Sequence, residues 1–138
     1  MKPDQFATAI NCFDGRAQIP AIDWLKINCN VQYVDLITEP GADNVLVQGS
    51  PALVDSIEAK LKLSLRLHQS RVVAIVAHHD CLANPVSREE HWELLRQGVD
   101  VIHTWGVQVP IVGLWVNEWG AVDVVCDTRE RQTANSYR

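Results

Sequence analysis

The chain has 138 residues, of which 47% are hydrophobic and 21% are charged, a composition typical of one domain with a buried core. Seventeen acidic residues outnumber twelve basic ones, which argues against a nucleic-acid backbone or an anionic membrane as the main partner. No stretch approaches the roughly 18 apolar residues that a membrane span needs, and the N-terminus does not resemble an export signal. We therefore predict a cytoplasmic protein.

Predicted strands and helices alternate along the chain. Short apolar or β-branched runs indicate the strands, whereas capping residues followed by apolar residues at helical spacing indicate the helices. The predicted strands cover residues 6–11, 31–37, 71–77, 109–116 and 121–125. The predicted helices run from Pro20 to about Ile27, from Pro51 through Leu65, and from Ser87 to near Gly106.

The last predicted helix contains Gly98, where it could break, but its apolar face continues beyond that residue and favours a single helix. The final two strands are joined by only four residues, 117–120, which is typical of a β-hairpin at one edge of a sheet. The polar residues 128–138 read as a loose tail. We therefore predict one domain over residues 1–127 followed by a C-terminal tail.

This order of elements predicts an α/β fold: a mostly parallel sheet of about five strands, with helices on both faces and an antiparallel edge strand. In such sheets, ligands bind beyond the carboxyl ends of the strands. Cys12 and His78 each follow or end a predicted strand. We therefore expect these two residues to be neighbours in space although they are far apart in the sequence.

Four cysteines, spread through the chain, are too few for a disulfide scaffold and suit core packing, metal binding or reactive thiols. Cys29 and Cys126 are predicted to be core residues. The helical histidines His68, His91 and His103 are predicted to lie on helix surfaces or at an interface.

Cys12, His78 and Cys81 together offer two thiolates and an imidazole, a set that favours zinc over magnesium, calcium or manganese. A water molecule or the Asp14 carboxylate can take the fourth position. Arg16 lies two residues after Asp14 and can instead pair with it, which would hold the carboxylate away from the metal. The residues leave open whether such a site is open or closed.

The pattern Cys12-x-Asp14-x-Arg16, followed far downstream by His78-x-x-Cys81, resembles the β-class carbonic anhydrases over roughly residues 6–126. The resemblance implies that Cys12, His78 and Cys81 bind Zn²⁺ and that Asp14 and Arg16 form the catalytic carboxylate–arginine dyad. It also implies reversible hydration of carbon dioxide to bicarbonate, in a homodimer or higher homo-oligomer with its substrate pockets at the subunit interface.

Some residues depart from the family pattern. Leu82 stands where the family usually has glycine, Gly15 where it commonly has serine, and residues 39–43 form an acidic stretch where a basic, amide-rich loop is expected. These departures favour an alternative: a non-catalytic zinc-binding protein with a structural or regulatory role, in which Asp14 is the fourth ligand. A third alternative is a thiol redox protein that uses Cys12 and Cys81 without metal.

Overall fold

A computed structural model describes residues 4–130, in which strands and helices alternate. The strands are β1 (Phe6–Asn11), β2 (Tyr33–Thr38), β3 (Val73–His78), β4 (Ile111–Val116) and β5 (Val122–Asp127). The helices are α1 (Gln18–Cys29), α2 (Ala42–Gln48), α3 (Pro51–His68) and α4 (Arg88–Thr104), with a 3-10 turn at Gly15–Ala17 before α1.

The strands form one sheet in the order β2-β1-β3-β4-β5. The first four strands are parallel, and β5 pairs with β4 in the antiparallel direction. The predicted α/β fold, including its antiparallel edge strand, is confirmed. Because the chain leaves β1 toward β2 on one side and returns to β3 on the other, the carboxyl ends of β1 and β3 meet at the point where the strand order reverses, the usual ligand site in such sheets.

Both faces of the sheet are covered by helices. One core cluster packs α2, α3 and α4 against the sheet and includes Leu46, Ile57 and Leu95. The other places Leu25 of α1 against the opposite face. No helix within residues 4–130 is long and apolar enough to cross a membrane.

The predicted helix starts follow from side-chain caps. Ser50 accepts a hydrogen bond from the backbone N–H of Leu53 at 3.4 Å, and Ser87 accepts one from Glu90 at 3.1 Å, which satisfies N–H groups that have no partner in the first turn. Helix α1 begins at Gln18, two residues before the predicted start at Pro20.

Gly98 does not break α4, so the single predicted helix is confirmed. A Cβ atom at this position would overlap Cδ1 of Ile75 in β3 and approach Leu46 at 3.3 Å. Glycine therefore allows α4 to pack closely on β3, a benefit that offsets its lower helix propensity.

Helix α2 was not predicted, and it occupies the region expected to be an acidic loop. It follows Gly41, which has a left-handed conformation with φ of 62°, and it begins without a side-chain cap. Asp43 lies in its first turn and is buried. The acidic stretch 39–43 is therefore partly helical, and its Asp43 side chain is not exposed.

Most of the predicted tail, residues 131–138, lies outside the described residues. Its first three residues are helical, and the Thr128 hydroxyl accepts a hydrogen bond from the backbone N–H of Ile111 at 3.0 Å. The start of the segment is thus attached to the beginning of β4, and the loose tail stays a prediction.

Candidate metal centre

Cys12, His78 and Cys81 come together at the carboxyl ends of β1 and β3. Cys12 directly follows β1, His78 is the last residue of β3, and Cys81 lies in the loop after β3. One donor atom from each residue lies within 4.8 Å of the other two, and all three residues are buried. The pairing of β1 with β3 thus brings the two halves of the motif into one cluster.

The distance between the two sulfur atoms suits a shared zinc ion. Sγ of Cys12 and Sγ of Cys81 lie 3.9 Å apart, and both cysteines are free. Two thiolates bound to one tetrahedral zinc at about 2.3 Å would lie about 3.8 Å apart. The separation of the two sulfur atoms therefore fits a zinc ion bound between them.

The imidazole of His78 has the tautomer that a metal ligand needs. Its Nδ1 atom donates a hydrogen bond to the carbonyl oxygen of His79 at 2.8 Å, which assigns the proton to Nδ1 and leaves a lone pair on Nε2. Among the residues that the structure describes, Nε2 is buried and has no hydrogen-bond partner. A metal ion is the partner that would satisfy it.

The backbone near the two sulfur atoms affects their charge. The Gly41 amide donates to Sγ of Cys12 at 3.5 Å. Burial, and then the neighbouring Cys12, raise the pKa of the Cys81 thiol to about 11, whereas hydrogen bonds from the backbone amides of Asn84 and Ala83 act in the opposite direction. A cation in the cluster would compensate for this desolvation and allow both thiolates to form.

Arg16 holds the Asp14 carboxylate. Its backbone N–H and Nε donate to Oδ1 of Asp14 at 2.9 and 3.1 Å, and its NH2 group donates to Oδ2 at 2.8 Å. These hydrogen bonds, the side-chain bonds first, lower the pKa of Asp14 to about 2. Within the described residues, the cluster of candidate metal ligands does not include this carboxylate.

The guanidinium of Arg16 also contacts the loop after β3. It donates to the backbone carbonyl of Asp80 at 3.1 Å and to its carboxylate at 3.4 Å. Asp80 adopts a left-handed backbone conformation with φ of 57°. Arg16 thereby links the loops that follow the two ligand-bearing strands.

A family model described as "Putative carbonic anhydrase" matches residues 2–126 of the chain. The chain belongs to this family. The resemblance inferred from the two-part motif is thus confirmed, and the match spans the whole of residues 6–126, the region of that resemblance.

Solved structures of β-carbonic anhydrases share the fold of this family member. Isoform I of Trichomonas vaginalis superposes with a TM-score of 0.59 at 16% identity, covering 92% of this chain and 86% of that chain. A chain from the crystal structures of two tetrameric β-carbonic anhydrases of Sordaria macrospora gives a TM-score of 0.59 at 12% identity, covering 92% of this chain and 83% of that one. No curated protein sequence matches the chain.

Two cavities differ in their relation to the carbonic-anhydrase motif. A cavity of about 170 Å³ is lined by Arg16, His78, the exposed His79 and the loop between β4 and β5. A larger one, of about 470 Å³, lies at the other end of the sheet, where it contacts Ile111 at the start of β4. Only the smaller cavity adjoins the candidate metal ligands.

Sequence reasoning missed a buried polar network beside the metal ligands. His91 was predicted to lie on a helix surface or at an interface, but it is 2% exposed, and its Nδ1 lies 2.5 Å from Oδ2 of Asp43. A signal was present: His91 precedes Leu95 and Gly98 at helical spacing, on the face of α4 that packs against the sheet. The carboxylate partner could not be identified because α2 was not predicted.

Proposed function

We propose that this protein is a zinc-dependent carbonic anhydrase that catalyses the reversible hydration of carbon dioxide to bicarbonate. The observation that carries the proposal is the cluster of Cys12, His78 and Cys81, in which a buried imidazole nitrogen has no partner among the described residues. Membership of the family supports the same reaction.

Cys12, His78 and Cys81 would hold the zinc ion and leave a fourth position open. Bound zinc would lower the pKa of a coordinated water toward neutrality, as is known for the three-histidine carbonic anhydrases. Asp14, kept ionised by Arg16, would accept a hydrogen bond at its carboxylate and so orient the attacking oxygen. The overall reaction adds water to carbon dioxide and releases one proton to solvent.

Two of the departures from the family pattern do not obstruct this chemistry. The Leu82 side chain is 81% exposed, so it does not fill the space around the ligands. Asp43 is buried and hydrogen-bonded to His91 and Asn84, so it does not present a free charge to bicarbonate. Both observations favour the enzyme over a non-catalytic protein.

We further propose that the protein forms a homodimer or a higher homo-oligomer in the cytoplasm. Phe13, Leu82 and Trp119 are large apolar residues with 60%, 81% and 82% of their surface exposed, and they lie in loops at the ligand-bearing end of the sheet. A subunit interface would cover them. Cys12, Cys29 and Cys81 are free thiols, and a reducing compartment would keep them so.

Stopped-flow measurement of carbon dioxide hydration near pH 8.5, on protein with its zinc content quantified, tests the function. We expect zinc-dependent turnover that is lost in Cys81→Ala and kept in the matched control Cys29→Ala, since Cys29 packs against the other face of the sheet. Full zinc occupancy without turnover would contradict the enzyme and favour the non-catalytic alternative, with Asp14 as the fourth ligand.

A further inference from the structure

A buried hydrogen-bond network joins α2, α4 and the loop that contains Cys81. The Asp43 carboxylate accepts hydrogen bonds from the Asn84 side-chain amide at 3.2 Å, from the backbone N–H of Asn44 at 2.9 Å and from Nδ1 of His91 at 2.5 Å. Asp43 and His91 are each 2% exposed. A buried carboxylate with three donors fixes the positions of all three groups.

His91 anchors this network to the rigid part of the fold. It lies in the first turn of α4, and its backbone N–H donates to the Ser87 carbonyl at 3.0 Å. Its ring packs against Trp115 of β4, with the ring centroids 5.3 Å apart. Through His91, Asp43 is therefore held by α4 and β4 as well as by the loop that contains Asn84.

The two segments that Asp43 connects each donate a backbone hydrogen bond to one of the two candidate cysteine ligands. Gly41, two residues before Asp43, donates its N–H to Cys12. The backbone N–H of Asn84 donates to the carbonyl oxygen of Cys81 at 3.3 Å. The segments are also in close contact, because a Cβ atom at Gly41 would lie 3.1 Å from Cβ of Asn84 and 3.2 Å from the Ala83 carbonyl oxygen.

We propose that Asp43 is a positioning residue for the metal centre: held by His91 and bonded to Asn84, it keeps the Gly41 N–H against the Cys12 thiolate and fixes the loop that carries Cys81. This inference rests on the proposed zinc site. N–H···S hydrogen bonds reduce the charge that a thiolate gives to its metal, and groups that orient metal ligands typically change metal affinity by about 10- to 100-fold when they are removed. The network would thus set both the affinity and the electronic character of the site.

Co²⁺ binding to the metal-free full-length chain tests the inference, with affinity and the thiolate-to-cobalt charge-transfer bands as readouts. Asp43→Ala should weaken binding by about tenfold or more and move these bands to longer wavelength. Asn84→Ala removes only the side-chain hydrogen bond to Asp43. It should also weaken Co²⁺ binding and move the charge-transfer bands to longer wavelength. Asp43→Asn keeps an oxygen that can accept from Asn84 and from the Asn44 N–H and loses the acceptor that faces His91, so its affinity should lie between those of Asp43→Ala and the unsubstituted chain.

A second Asp–His pair provides the matched control. Asp35 and His68 lie 2.7 Å apart between β2 and α3, away from the ligand-bearing end of the sheet. Asp35→Ala should leave affinity and spectrum unchanged. Circular dichroism establishes that each variant is folded, and Asn84→Ala decides the question if Asp43→Ala does not fold.

The outcomes separate this inference from the proposed function. A folded Asn84→Ala variant with unchanged affinity and unchanged charge-transfer bands would overturn the positioning role and leave the carbonic anhydrase proposal standing. Shifted bands in a chain that does not hydrate carbon dioxide would support the positioning role and contradict the enzyme. Absence of thiolate bands in the unsubstituted chain would overturn the metal centre and this inference with it.

Discussion

Arg16 contacts two acidic residues from different loops, Asp14 and Asp80. Its side chain is 59% exposed, so these ion pairs contribute little to stability. Their effect is on geometry. The guanidinium of Arg16 donates to both oxygens of the Asp14 carboxylate and so fixes it in one orientation. The arginine is therefore more important for the position of Asp14 than for folding.

We expect Arg16→Gln to lower carbon dioxide hydration by about 100-fold or more, the usual contribution of a positioned acid or base, with one zinc per chain retained. Without the guanidinium, Asp14 can turn toward the metal and take the fourth position. Stopped-flow kinetics with parallel zinc analysis measure both quantities. Arg88→Gln, which breaks the exposed pair with Glu89, is the control, and equal activity in the two variants would contradict the role of Arg16.

Zinc affinity should increase with pH because the pKa of the Cys81 thiol is raised to about 11 in the metal-free protein. Below that pH the thiol is protonated, so zinc must displace a proton, and affinity should rise about tenfold per pH unit for each proton displaced. Calorimetric titrations in buffers of different ionisation enthalpy, at pH 7 and pH 9, count the protons. An affinity that does not change over this range would contradict the prediction.

Among the elements, the contact between α4 and β3 depends on Gly98. Gly98→Ala should destabilise the protein by about 1–3 kcal/mol, because the new Cβ atom overlaps Cδ1 of Ile75 in a closely packed core. Urea unfolding measures the change. Ile75→Val removes Cδ1, so the double variant should be more stable than the sum of the two single changes predicts. Strict additivity would show that the contact is not the cause.

The sequence predicted each strand and the three longer helices, because periodicity and capping residues are local signals. Helix α2 lacks a side-chain cap and has only seven residues, so tertiary contacts, and not local propensity, determine it. Asp43 and His91 bond each other from different helices, α2 and α4. No local sequence pattern reveals such a pair. The clustering of Cys12 with His78 was predictable because parallel strands end at one edge of the sheet.

For the molecule as a whole, bound zinc should contribute directly to stability, since the unfolded chain does not hold the three ligands together. At a free zinc concentration one hundred times the dissociation constant, the free energy of unfolding should increase by about 2.7 kcal/mol. Urea unfolding with zinc and with a chelator measures this difference. The stability of Cys81→Ala should change with neither zinc nor the chelator. If zinc stabilises this variant as much as the unsubstituted chain, the ion binds elsewhere.

The order of the strands has a kinetic consequence. Cys12 and Cys81 are 69 positions apart in the chain and meet only when β1 pairs with β3. Such distant contacts form late in folding, so most of the zinc-binding energy is absent from the folding transition state. We therefore expect saturating zinc to slow unfolding while leaving the folding rate nearly unchanged, so that the metal determines how long a folded molecule lasts and not how quickly it forms.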